Sequence, residues 1–382
     1  MRTCTRSWIV ALALGGTVAV AAPSTAQAQS HDDLIAQAVL PLPEDLRADA
    51  TVFRYDDATG ERELLREGSN HVECSPRAES GFTLCYPKST AAWRDMRTTL
   101  NAEGLSQDEI EQKVSEAEAA GTVKAPSVGS MVYRLYDEGD RIQLLWLILV
   151  PNQTAADLAM PMGSQRDNSL AGHGTPWLMN EGTQGAHLMM PINQTDLSNA
   201  GMPEVPLDPS TVTDPDEQAT LPLPDDLKGK ATVSTFDAET GLWTLHQRGS
   251  TTIECRPHDP ESGFTRCYHE SVWAARDMSA RLAAQGHSED EISEAMDEAR
   301  ADGTLETTAM ASLGYRLYGA DDRIRLLWIL RVPGATAAEL GMPTSSQRDS
   351  SLAGRGTPWM MNEGTASAHL MIPINGTALS NR

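Results

Sequence analysis

Two histidines stand at matching places in near-identical surroundings. His187 lies in GTPWLMNEGTQGAHLMMPIN (Gly174 to Asn193) and His369 in GTPWMMNEGTASAHLMIPIN (Gly356 to Asn375). An imidazole suits proton transfer near neutral pH when a carboxylate orients it. Candidate acids are Glu181 and Asp167 for the first copy, and Glu363 and Asp349 for the second. Ser164 and Ser346 are the nearby hydroxyls that a hydrolase would activate. A second chemistry is soft-metal binding. Thioether plus imidazole suits Cu(I), and Met179, Met189, Met361 and Met371 flank the two histidines. The third reading is ordinary packing, with Trp, Leu and Met filling a buried strand pair and the histidine hydrogen-bonded among them.

The sequence favours the packing reading. It has no G-x-S-x-G elbow, no Ser-x-x-Lys, no His-Glu-x-x-His and no phosphate-binding loop. Gly172-His173-Gly174 and Gly354-Arg355-Gly356 run into Thr-Pro, so they do not open a helix that would bind phosphate. One imidazole and two thioethers per copy is sparse for a copper site. His173 corresponds to Arg355, so a site requiring His there cannot exist twice. The Arg94-Asp95, Arg166-Asp167, Arg276-Asp277 and Arg348-Asp349 neighbours read as local ion pairs.

The elements that position these residues recur at an offset of 181 to 182 residues. LPLPEDL at Leu40 returns as LPLPDDL at Leu221, and SGFTLCY returns as SGFTRCY. Each unit is about 160 residues, a normal domain size and too long for a solenoid repeat. The units run 40–199 and 221–382, with a Pro/Asp-rich stretch at 200–220 reading as an extended linker. Within a unit, TVFRYDDATGERELLREG alternates around a turn and predicts a hairpin, and Val72 to Tyr86 predicts a second. A helix is expected from Ala91 to Leu100. Ser106 with Glu109, and Ser288 with Glu291, form capping boxes for the next helix. MVYRLYDEGDRIQLLWLILVP is a third hairpin, whose Leu144, Trp146, Ile148 and Val150 share a fully apolar face. TPWLMN and AHLMMPI close the unit as two short strands, and if Trp177 and Met179 share the face of His187, Met179 falls across from it. The expected fold is α+β: a tandem duplication of a mainly antiparallel sheet packed against a two-helix layer.

Charge and cysteines bound the setting. Residues 1–28 carry Arg2 and Arg6, an apolar run and a small-x-small site, the pattern of a cleavable secretory signal. Cutting after Ala28 removes two arginines and no acid, taking the formal charge from −23 to −25. Such a surface repels phosphate backbones, so nucleic acid is excluded as a partner, and no membrane insertion is expected after cleavage. Cys74, Cys85, Cys255 and Cys267 remain, one close pair per repeat, without the Cys-x-x-Cys unit of zinc sites. In an exported chain they read as the disulfides Cys74–Cys85 and Cys255–Cys267. Contact between the two repeats, as a pseudo-twofold pair, is open to such a duplication.

The succession of hairpin, Cys hairpin, helices, LLWILxVP and GTPWxMxEGTxxAHLMIP resembles exported bacterial proteins without an assigned function. In these a G-x-P-x-x-M-x-x-G-x-x-x-A-H-[IL]-M-[IV]-P ending closes a single domain. The resemblance implies export, to the periplasm or the medium, and a shared fold. It implies no activity and no site residues, and the duplication departs from the single-domain pattern. The first expectation is therefore a non-catalytic binding or structural role with no cofactor. A hydrolase-like activity on His187 or His369 is the alternative, and copper binding the third.

Overall fold

The computed structural model describes residues 30–56, 58–77, 81–136, 142–160, 176–192, 211–237, 242–259, 262–306, 308–319, 324–343 and 357–374. Residues 1–28, where a secretory signal is expected, Ser164, Asp167, Ser346, Asp349 and most of the 200–220 stretch lie outside these residues.

The first repeat runs α1 (His31–Ala38), α2 (Glu44–Arg47), β1 (Thr51–Tyr55), β2 (Arg62–Arg66), β3 (Val72–Ser75), β4 (Phe82–Pro87), α3 (Ala91–Ala102), α4 (Gln107–Ala119), β5 (Met131–Tyr136), β6 (Leu144–Leu149), α5 (Ala155–Leu158), β7 (Trp177–Met179) and β8 (His187–Pro191). The second repeats this order as α6 (Pro215–Thr220), α7 (Asp225–Lys228), β9 (Thr232–Asp237), β10 (Leu242–Gln247), β11 (Ile253–Asp259) and β12 (Phe264–His269). It continues with α8 (Glu270–Ala284), α9 (Glu289–Ala301), β13 (Leu313–Tyr318), β14 (Leu326–Arg331), α10 (Ala337–Leu340), β15 (Trp359–Met361) and β16 (His369–Ile374).

Each repeat forms one eight-stranded sheet, in the order β2-β1-β3-β4-β5-β6-β8-β7 and its counterpart β10-β9-β11-β12-β13-β14-β16-β15. All neighbouring pairs are antiparallel except β1 with β3 and β9 with β11. The cysteines are directly opposite one another across β3–β4 and β11–β12, and both disulfides form. Both predicted capping boxes are present on α4 and α9. The predicted linker ends differently from the extended reading, in the helix α6. Asp214 accepts hydrogen bonds from the Asp216 and Glu217 amides, and Pro215 takes the first helical turn, where its missing N–H costs nothing.

The two faces of each sheet have different fates. Met131, Tyr133, Trp146, Ile148, Leu188 and Met190 on one face share a single core with Leu313, Tyr315, Trp328, Leu330, Leu370 and Ile372 of the other repeat. The joint is isologous. The Tyr133 hydroxyl donates to the Gly341 carbonyl, and the Tyr315 hydroxyl donates to that of Ala159 at 2.7 Å, the corresponding place in the first repeat. Both acceptors are left-handed residues just after α10 and α5. Ser127 Oγ adds a 2.9 Å bond to Glu339. The outer face carries a separate cluster of Phe53, Leu84, Tyr86, Val132, Leu145, Leu147, Trp177 and Met189. The α4 side chains Ile110 and Val114 pack with Leu100, Trp93 and Met96 of α3, forming a third cluster distinct from the sheet's own.

Candidate functional site

The histidines sit at the end of the closing strand pair, whose register meets the condition under which Met179 falls across from His187. Met179 opposes His187 and Trp177 opposes Met189; in the second repeat Met361 opposes His369 and Trp359 opposes Met371. On the other side of β8, Leu149 opposes His187, whereas Arg331 of β14 opposes His369. Asn180 and Gly182, with φ of 53° and 73°, turn the chain tightly between the strands.

That turn commits the candidate acids elsewhere. Glu181 Oε2 accepts from the Ala155 amide at 2.9 Å, and Glu363 Oε2 accepts from Ala337 at 2.7 Å. Each carboxylate thus satisfies an amide in the first turn of a short helix, a structural duty. The imidazoles are held by main chain: Nδ1 lies 2.7 Å from the Gly185 carbonyl in one copy and 2.7 Å from the Ser367 carbonyl in the other. A carbonyl can only accept, so Nδ1 carries the proton and Nε2 the lone pair. Burial pushes both histidines below their ordinary value. For His369 burial, reinforced by the neighbouring Arg331, brings it down to about 4. Both imidazoles are neutral at pH 7.

The soft-metal candidates Met179, His187 and Met189, with Met361, His369 and Met371, share one face of their strand pairs, as the alternation requires. The Arg331 guanidinium facing His369 opposes a cation there. Among the described residues no group of three His, Cys, Asp or Glu is placed to hold a metal ion.

Sequence reasoning missed the arginines around these histidines. Arg94 of α3 does not pair with Asp95, as its neighbour in sequence suggested. Asp95 instead accepts from Tyr55 Oη at 2.7 Å and from Arg62 Nη1 at 3.1 Å. Adjacent helical residues point about 100° apart, and Arg94 lies over the Tyr86 ring, 4.1 Å from its centroid. Asp277 likewise goes to Arg256, through two bonds of 2.7 and 2.8 Å, while Arg276 lies 4.9 Å from the Tyr268 centroid. Arg134 of β5 lies 4.7 Å from the Phe82 centroid, and Arg316 of β13 bonds Tyr268 Oη. The signal that could have found them is the duplication: Tyr86, Arg94, Arg134 and His187 return together as Tyr268, Arg276, Arg316 and His369.

In the first repeat these residues line a cleft of about 780 Å³ between the α3–α4 pair and the outer face of the sheet. Its polar lining includes Arg94, Arg97, Arg134, His187 and Glu111, and its apolar lining Trp93, Val132, Leu147 and Leu149. Arg97 also binds Glu111 at 2.6 Å. The Arg94 Nε, Arg97 Nη1 and Arg134 Nε donors are buried and have no hydrogen-bond partner. In the second repeat the guanidiniums of Arg276, Arg316 and Arg331 crowd the Tyr268 ring at 4.9, 5.5 and 5.7 Å. Burial would raise that phenol, but the three cations outweigh it and its pKa falls below the ordinary value.

Compared with protein-family models, with curated proteins and with solved structures, the chain shows no significant match. Among the described residues no helix is long and apolar enough to cross a membrane.

Proposed function

We propose that this is an exported α+β protein with a non-catalytic binding role, and that the cleft beside His187 is its binding surface. The observation that carries this reading is how the candidate acid and base are engaged. Glu181 is spent on the α5 amide and the His187 proton on a backbone carbonyl. The carboxylate–imidazole pair that a hydrolase reading assigns to Glu181 and His187 is therefore not formed, since each group is bound to main chain instead. A concave site with an apolar wall and a few convergent donors suits a small ligand. Both disulfides and the basic-then-apolar leader support export, to the periplasm or the medium. The α3–α4 pair, standing over the outer sheet face, supports the α+β class. The test uses the full mature chain with a panel of chromogenic esters and phosphates, read for turnover and for thermal stabilisation in parallel. Stabilisation without turnover is expected. Turnover that His187→Ala abolishes would overturn the reading in favour of a hydrolase.

A further inference from the structure

The chain is strongly acidic, yet Arg94, Arg97 and Arg134 line one cleft of the first repeat with a single paired carboxylate, Glu111, among them. Arg94 and Arg134 form no ion pair among the described residues, and Arg97 has only Glu111, 46% exposed. A buried guanidinium donor left without a partner has lost its hydration and gained no hydrogen bond in exchange. Three such donors line one cleft, Arg94 Nε, Arg97 Nη1 and Arg134 Nε. Arg94 and Arg134 thus lack a neutralising partner among the described residues, a gap that the planar oxygens of an anion would fill.

We propose that the first repeat's cleft is a binding site for a small amphiphilic anion, a carboxylate or phosphate head on a flat apolar body. The inference rests on the binding role proposed above and names its ligand class. The head meets the Arg94, Arg97 and Arg134 guanidiniums, whose planar forks match carboxylate and phosphate oxygens. The body lies on Leu147 and Leu149 of the sheet face, beside Trp93, whose ring carries the Arg97 guanidinium 4.7 Å from its centroid. His187 Nε2, its lone pair left for the ligand by the Nδ1 bond to Gly185, accepts a proton-bearing oxygen such as that of a monoprotonated phosphate. The second repeat differs at the decisive places. Leu149 is replaced by Arg331, and Trp93 by Ala275, which removes two pieces of the apolar wall. The Tyr268 phenol there takes the Arg316 donor that Arg134 leaves unmet. Only the first repeat is assigned a site.

Calorimetry on the full mature chain, at low ionic strength and pH 7, tests this with four probes: phenyl phosphate, benzoate, inorganic phosphate and benzyl alcohol. Phenyl phosphate or benzoate is expected to bind saturably at one site. The better of the two should bind at least tenfold tighter than inorganic phosphate and than benzyl alcohol; which one leads tells phosphate from carboxylate. Arg134→Gln should weaken it tenfold or more, and Arg134→Lys, which keeps the charge but not the fork, less. Arg94→Gln provides a second variant if Arg134→Gln lowers the melting temperature enough to unfold the chain. Failure of both aromatic anions to bind at millimolar concentration overturns the proposal, as does equal binding of benzyl alcohol or binding indifferent to both glutamine variants. Hydrolysis of phenyl phosphate would sink the non-catalytic reading while leaving the anion site standing. Absent binding would do the reverse.

Discussion

Protonating His369 means charging an imidazole that is 7% exposed and faces Arg331, with Arg316 and Arg276 close behind. Its folded pKa of about 4 lies below the ordinary 6.5, so above pH 6.5 neither state is protonated and the group is neutral to stability. Below pH 6.5 the unfolded chain takes up the proton first, and stability falls until the folded pKa is reached. The loss amounts to about 2 kcal/mol between pH 7.5 and 5. Urea unfolding at those two pH values should show a smaller difference in His369→Gln than in the parent chain; an unchanged difference would assign the pH dependence to other groups. A second residue-scale prediction concerns Gly129, at φ +91°, where an added Cβ would lie 2.7 Å from Val332 of the other repeat. Gly129→Ala is expected to cost about 2–3 kcal/mol through overpacking and backbone strain. Ala159 already sits at φ 51°, the place Gly341 holds in the second repeat. Ala159→Gly should leave stability within about 1 kcal/mol, since relief of left-handed strain offsets lost chain stiffness. Chemical unfolding measures both. At this scale the sequence revealed the histidines but not the arginines, because a helix turns neighbouring Arg94 and Asp95 to different partners.

In each repeat an arginine ties strand to helix, and the two repeats supply it from different strands. In the first, Arg62 of β2 bridges the buried Glu73 at 2.7 Å and Asp95 of α3 at 3.1 Å. In the second, Arg256 of β11 bridges Glu254 at 3.2 Å and Asp277 of α8 at 2.7 Å, stacked between Trp243 and Trp273. The position of Arg62 is Trp243 in the second copy, and that of Arg256 is Ser75 in the first. Guanidinium and acid pair have been kept while the strand that supplies the guanidinium changed. Arg256→Ser is expected to cost about 2 kcal/mol, below the range for a fully buried pair because Asp277 is partly exposed. Adding Trp243→Arg, which recreates the first repeat's arrangement, should recover part of that loss. A double-mutant cycle reads the coupling, and strict additivity would contradict it. The hairpins, capped helices and disulfide pairs were legible because alternation, capping residues and cysteine spacing act over a few residues. The sheet order was not. The parallel pairing of β1 with β3, Thr51 with Glu73 and Val52 with Cys74, depends on contacts that no local pattern records.

The whole molecule is one duplicated unit folded on itself. The inner sheet faces of both repeats fall in a single core, and Tyr133 and Tyr315 close it with mirrored hydrogen bonds. A chain starting at Thr211 would expose Leu313, Tyr315, Trp328 and Leu330, an apolar face far larger than a soluble monomer tolerates. Expressed alone, the second repeat is expected to self-associate through that face or fail to fold, as size-exclusion chromatography with circular dichroism would report; a stable monomer with native-like melting would refute the shared core. Reduction of both disulfides should lower stability by about 2–3 kcal/mol per bridge, read as a shift in urea midpoint.

By itself, the sequence determined the duplication, from segments that recur 181 to 182 residues apart, together with the hairpins, capped helices and disulfide pairs. The latter follow from steric and hydrogen-bonding preferences between residues close along the chain. Only the tertiary structure decided which face of each sheet meets the other repeat, that Glu181 serves a helix amide, and that Arg94, Arg97 and Arg134 line one cleft with His187. Those outcomes depend on long-range packing. An arginine's partner is whatever carboxylate, ring or carbonyl the fold brings within reach, and chain neighbours carry little information about it.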